Sequence, residues 1–427
     1  MRIAIVALGL GIIIAGCSGG GMGTSDAAVV ADAVVADAHG ADAPATDAHA
    51  TSDAGSTNDA AVTRDAATTD AGPSSGRWVM GYFPGYLRSS LPADEIDFTT
   101  MTHLAVGAAI PNADGSLDTT FSIDATNGPI FARDLADRAH AAGRHPILML
   151  GGAGAHDGWV GAASAGTRAQ FVTAILAVMD DLHFDGVDVD WEPVNTADEP
   201  NLAALVHALR VARPAMIITI PIGWINANAP NVSSVWASIA SDVDQLNIMT
   251  YEMAGSAADG WGGWQSWHGG ALMGETSSTP SSVDSSVRAY LAAGVPAAKL
   301  GIGVGFYGEC WTGVTAPHQS TASAHIVASD NVMTYDHILG AYFSSGAYHY
   351  DSAAAAGYLS FTSPHGAEGC TFVSYEDETS IAAKGAYVAA HGLGGAIIWA
   401  IPEGHVPSAP AGMRDPLLTA MRTAFLQ

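Results

Sequence analysis

Basic residues are scarce: the 427-residue chain has 15 Lys and Arg against 42 Asp and Glu, a formal charge of −27 at pH 7. Phosphate backbones are held by clustered cations, so nucleic acid is excluded as a partner. The balance weakly favours a neutral or cationic ligand, such as an uncharged or partly deacetylated sugar polymer, although acidic surfaces more often serve solubility. Cysteine is scarcer still, with only Cys17, Cys310 and Cys370. Two of these cannot make a metal site alone, and no His lies at ligand spacing beside Cys310 or Cys370, so no metal and no other cofactor is expected. Aromatic residues are missing altogether from residues 18–76. The apolar run at residues 3–15 is shorter than the ~20 residues that a spanning helix needs.

What is present sorts the chain into three parts. Arg2 followed by the short apolar run reads as an export signal over residues 1–16. It ends Ile14-Ala15-Gly16-Cys17, which resembles a bacterial lipobox; that resemblance implies cleavage before Cys17, lipidation of its thiol and anchoring to an outer membrane or cell surface. Residues 17–76 follow, rich in Ala, Asp and Thr, with nine Asp at spacings of five or six. Such a segment cannot bury enough apolar surface to offset its ordering entropy. It is expected to be a disordered tether with a reach on the order of 40 Å or more. An exported chain meets an oxidising setting, so Cys310 and Cys370 are expected to form a disulfide.

From residue 77 to 427 short apolar runs alternate with helical stretches. Candidate strands are 78–83, 103–109, 146–151, 184–190, 217–221, 245–251, 300–306 and 396–400. Between the third and fourth, Phe171, Ile175, Val178 and Leu182 recur at helical spacing. Repeated βα units with strands of nearly continuous apolar character predict an α/β fold, a closed (β/α)8 barrel buried on both sides, with an open doubly wound sheet as the alternative. About ninety residues separate the last two strands, room for a small α+β insertion at about 316–371.

Phe184-Asp185-Gly186-Val187-Asp188-Val189-Asp190-Trp191-Glu192-Pro193 is the informative segment. On a strand of period two, Asp188, Asp190 and Glu192 face the same side. In a barrel that side is the interior, and the strand ends at the mouth where active sites sit. Stacked like charges at short range cannot all ionise, so shared protons and catalysis account for them better than structure does. A solvated edge strand would not carry Phe184, Val187, Val189 and Trp191 between the acids, and the Gly-containing loop of a calcium hand is absent.

Asp185, Gly186, Asp188, Asp190 and Glu192 fill every fixed position of the DGxDxDxE signature, and the segment resembles glycoside hydrolase family 18, the chitinases and their relatives. Met80-Gly81-Tyr82-Phe83, Gly151-Gly152, Met249-Thr250-Tyr251, Gly305-Phe306-Tyr307-Gly308 and Trp399 match further family positions in order. The resemblance implies a retaining hydrolase of β-1,4 linkages between N-acetylglucosamine units. Glu192 would be the general acid, and the substrate's own acetamide oxygen the nucleophile, the substrate-assisted exception among retaining glycosidases. Asp190 would orient the acetamide and Asp188 share a proton with Asp190. Tyr251 would bond the acetamide, and Trp399 would floor the sugar site. Tyr82, Asp185, Met249 and Glu252 are further binding candidates by the same resemblance. Trp261 and Trp311, with Trp264 and Trp267, are candidates for sugar stacking. The alternatives are an endo-β-N-acetylglucosaminidase of N-glycans, a peptidoglycan hydrolase or a non-catalytic chitin-binding lectin; in each case a monomer is expected.

The chain departs from the family pattern at four places. Glu252 stands where Asp is common, Met149 where Ser is usual, Glu309 where Arg is common, and Pro193 where Tyr follows the acid.

Overall fold

The apolar runs pair edge to edge in parallel, each with the next. The computed structural model describes residues 76–257 and 260–427; the export signal, Cys17 and the tether lie outside the described residues. Strands β1 (Trp78–Pro84), β2 (His103–Pro111), β4 (His145–Ala153), β5 (Gly186–Glu192), β6 (Ile217–Gly223), β7 (Gln245–Met249), β8 (Leu300–Gly305) and β14 (Gly395–Trp399) form the barrel. Pairing of β14 with β1 and of β1 with β2 closes it. A two-residue strand, β3 (Leu117–Asp118), adds antiparallel to β2.

The period-two alternation of each strand sorts its side chains between two cores. On β5, Val187, Val189 and Trp191 pack outward with helix residues such as Phe171, Ile175 and Met179. Asp188 and Asp190 point inward, where Met80, Tyr82, Ile147, Met149 and Ile397 make a smaller interior cluster. The helix Arg168–Leu182 buries Phe171, Val172, Ile175, Met179 and Leu182, while Val178 is only partly covered. Trp191 stacks on Trp159 with ring centres 5.4 Å apart and planes 7° from parallel. The Trp159 indole donates to the Asp190 carbonyl at 3.1 Å, which fixes the backbone beneath the acids.

One glycine is required here. Gly151 has φ +88°, and a Cβ on it would lie 2.3 Å from Trp159 Nε1 and 2.5 Å from the Asp190 carbonyl oxygen.

The insertion is larger than the sequence suggests. Strands β9 (Gly308–Thr312), β10 (His325–Ala328), β11 (Tyr348–Asp351), β12 (Ala356–His365) and β13 (Cys370–Tyr375) form an antiparallel sheet in the order β10-β9-β13-β12-β11. It therefore starts at Gly308 and ends at Tyr375, not at 316 and 371. Its first and last strands by sequence, β9 and β13, pair at its centre, and the hydrophobic pattern alone did not show that Gly308–Thr312 had left the barrel. Cys310 and Cys370 sit on these neighbours and are joined in a disulfide across a separation of 60 residues. Trp311 and Trp267 are fully buried in the insertion's own core with Phe372, Val314 and Ala354. Trp311 faces Phe372 across the β9–β13 pair, so stacking on sugar is ruled out for both indoles.

Candidate active site

The acids of β5 stand in one column. Register pairs Asp188 with Met149, Asp190 with Gly151 and Glu192 with Ala153, each step taking the column two residues nearer the mouth. Asp188 is the deepest and fully buried. Its Oδ2 accepts from the Tyr82 hydroxyl at 2.8 Å and its Oδ1 from the Thr219 hydroxyl at 2.5 Å. Burial pushes its carboxyl up to about 7, with the two hydroxyls pulling the other way and the charge of Glu192 adding to the rise. Asp190 is 3% exposed, and its Oδ1 has no hydrogen-bond partner among the described residues. Burial and then the charges of Glu192 and Asp188 push it well above the usual carboxylate range.

Asp190 and Glu192 are neighbours in that column, two residues apart on one strand. Burial raises Glu192, with the neighbouring Asp190 pulling the other way. A carboxyl held above its usual range at the rim of a cleft is suited to act as a general acid. The family resemblance implies a proton shared between Asp188 and Asp190; in the structure the two Asp188 oxygens accept from the Tyr82 and Thr219 hydroxyls.

The cleft around Glu192 has a volume of about 210 Å³ and is lined by Tyr82, Asp190, Glu192, Tyr251, Asp330 and Trp399, together with Met249, Glu252 and Tyr307. Tyr251 is pushed well above 10 by burial and then by the charge of Glu192, so its hydroxyl stays a neutral donor. Tyr82 lies against Trp399 with ring centres 5.5 Å apart. The Trp399 indole donates to Asp330 Oδ1 at 2.9 Å, and Glu403, only 1% exposed, is pushed up to about 9 by burial and then by the charge of Asp330. Glu252 accepts from the Ser329 hydroxyl at 3.0 Å. Ser329 and Asp330 thus bring one loop of the insertion to the cleft wall. Among the described residues no three His, Cys, Asp or Glu side chains converge on a metal position.

Two candidates sit differently from their sequence reading. Asp185 precedes β5 at the end away from the mouth, about 20 Å of strand from Glu192. It is held there by His140 Nε2 at 2.9 Å and His145 Nδ1 at 2.7 Å, which corrects its assignment to substrate. Trp261 is partly buried, not stranded on the surface, and packs edge-on against Trp264 at 4.5 Å and beside Trp224 at 5.5 Å. Thr219, Asp330 and Glu403 were missed, and Tyr307 was noted only as a match to the family pattern. Thr219 had a signal, a lone hydroxyl in Ile217-Ile218-Thr219-Ile220; Asp330 had none.

The family model for glycosyl hydrolases family 18 matches residues 79–404, the whole barrel with its insertion. The chain belongs to that family. Chitinase A1 of Niallia circulans is 30% identical over 274 residues, 56% of this chain and 37% of that protein. The class V chitinase of Arabidopsis thaliana is 25% identical over 336 residues, covering 74% and 83%. The chain spans from about a third to just over half of the length of the first curated relatives it matches. The Group IV chitinase of Ostrinia furnacalis, solved with allosamidin, superposes with a TM-score of 0.66 at 23% identity, over 81% of this chain and 98% of that one. That likeness shows the (β/α)8 barrel fold.

Proposed function

We propose that the protein hydrolyses β-1,4 linkages between N-acetylglucosamine units, as in chitin or chito-oligosaccharides, by a retaining, substrate-assisted route. The observation that carries this reading is the column on β5, where Asp190 and Glu192 leave one strand two residues apart on the same side. A nucleophilic carboxylate of an ordinary retaining pair stands about 5 to 5.5 Å from the acid, on the far face of the sugar. Asp190 leaves the same side of the same strand as Glu192, not the opposite wall of the cleft. Glu252 and Asp330, the other carboxyls of the cleft, are tied to Ser329 and Trp399. The substrate's acetamide oxygen is left as the nucleophile.

In this account Glu192 gives its proton to the glycosidic oxygen as the leaving sugar departs. The acetamide carbonyl closes on the anomeric carbon, and positive charge develops on the resulting ring. Asp190 becomes charged against that cation as its proton passes to Asp188, which Tyr82 and Thr219 hold in place. Tyr251 donates to the acetamide, and Trp399 forms the sugar's floor. Water then opens the ring on the face the leaving group vacated, so the anomeric configuration is kept. Incubation of the purified protein with chitin oligomers, a high-mannose glycoprotein and peptidoglycan, with product anomers read by NMR, tests both substrate and route. Products of retained configuration from the chitin oligomers are expected; inverted products would sink the route.

Export and lipid anchoring through Cys17 belong to the same reading and rest on residues 1–17. Cys17→Ser is expected to move the protein from the membrane fraction to the soluble one; unchanged membrane association would refute the anchor.

A further inference from the structure

Trp399 ends β14, and pairing with Gly305 of β8 fixes its backbone there. Backbone pairing leaves the ring free to turn about its side-chain bonds. The ring packs beside Tyr82 with centres 5.5 Å apart. Its directional contact is the indole N–H, which donates to Asp330 Oδ1 at 2.9 Å. Asp330 comes from the insertion, two residues beyond β10, and has φ +41°. A non-glycine residue at positive φ is strained and persists where its surroundings hold it, most often at functional sites. Asp is among the few residues that adopt it at modest cost. Its neighbour Ser329 donates to Glu252 Oε1 at 3.0 Å, and Glu252 is itself at φ +50°. In the barrel β8 lies between β14 and β7. Two consecutive residues of the insertion therefore hold Trp399 at the end of β14 and Glu252 just past the end of β7. Burial raises the Asp330 carboxyl, with the indole bond opposing. A carboxyl accepts with or without its proton, so the contact survives either way.

We propose that Asp330 is a positioning residue: through its bond to the indole N–H it sets the plane of Trp399, so that the insertion fixes the floor on which the reacting sugar packs. The proposal rests on the hydrolase reading above and adds a residue that acts through Trp399. A floor touches the sugar in the ground state and the transition state alike, so its loss falls on KM more than on kcat. Loss of the one hydrogen bond that orients it is worth about tenfold.

Two substitutions test it. Asp330→Gly removes the acceptor and leaves positive φ accessible; Asp330→Asn keeps an acceptor oxygen and also tolerates that backbone. The first readout uses no sugar. In NMR spectra of the isotope-labelled protein, Trp399→Phe identifies the Trp399 indole N–H among the ten tryptophan signals by its loss. That signal is expected to shift upfield in Asp330→Gly and to stay near its original place in Asp330→Asn. The second readout is hydrolysis of chitotetraose. Asp330→Gly is expected to raise KM about tenfold and lower kcat by less than about threefold, and Asp330→Asn to recover most of the loss in KM. An indole signal unmoved by Asp330→Gly overturns the proposal, as does a loss confined to kcat. Asp330→Asn as impaired as Asp330→Gly also overturns it, because the effect then belongs to the charge and not to the bond. If the unmodified protein leaves chitotetraose intact while the indole signal moves in Asp330→Gly and not in Asp330→Asn, the hydrolase reading is at fault and the hold of Asp330 on Trp399 is supported.

Discussion

Asp188→Asn is expected to make the protein more stable and far less active, with a difference in stability that depends on pH. In the folded protein burial pushes the Asp188 carboxyl from an ordinary 3.8 to about 7. The folded state therefore binds this proton more tightly than the unfolded chain does. Stability from the protonated group is fully present below about pH 4 and is lost as pH rises through about 7. A shift of about three units at 1.36 kcal/mol each is worth about 4 kcal/mol at pH 8, of which about 3 kcal/mol is lost between pH 5 and pH 8. An amide keeps the shape, can accept from Tyr82 or Thr219, and has no charge to desolvate. Urea unfolding of both proteins at pH 4, 5, 6, 7 and 8 measures the difference. The Asp188→Asn protein should gain on the wild type steadily across that range. A difference independent of pH, or a variant less stable than the wild type at pH 8, would refute the claim that this carboxyl is held at a cost inside the barrel.

Other consequences can be checked separately. Gly151→Ala places a Cβ against Trp159 Nε1 and the Asp190 carbonyl at positive φ; strain and the lost indole bond together should cost about 2–4 kcal/mol in denaturant titration, with activity falling as the strand shifts. Replacing Cys310 and Cys370 by Ser opens a loop of 60 residues, and chain entropy puts the loss at about 4 kcal/mol, read as a lower unfolding midpoint without reductant. Asp190→Asn should lower kcat by about 10²–10³ on chitin oligomers, the effect of removing one electrostatic stabiliser, with KM changed much less.

Much of the barrel could be read in advance because its signals are local. Strands buried on both faces are continuous apolar runs, and all eight fall within a few residues of where those runs lie. The inward column was legible for the same reason, since period two sends Asp188, Asp190 and Glu192 to one side whatever the rest of the chain does. What escaped depends on contacts distant in sequence. Asp330 joins Trp399 across 69 residues, and nothing around Ser329-Asp330-Asn331 marks a cleft wall. Trp311 looked like a loop residue because β9 begins only three residues after β8 ends; its pairing with β13 put it in a core. Asp185 was grouped with the acids by its place in the signature, yet it belongs to the opposite end of the strand, where it ties His140 and His145 together.

Glu192→Gln tests the central claim most directly. The amide keeps the side chain's size and its place above Asp190 but cannot give up a proton as an acid. Hydrolysis of chitin oligomers by the variant is expected to fall by about 10³ or more, while calorimetry finds oligomer affinity within about threefold of the wild type. Turnover that persists within tenfold of the wild type, with normal binding, would mean that another group protonates the leaving oxygen and that Glu192 is not the acid.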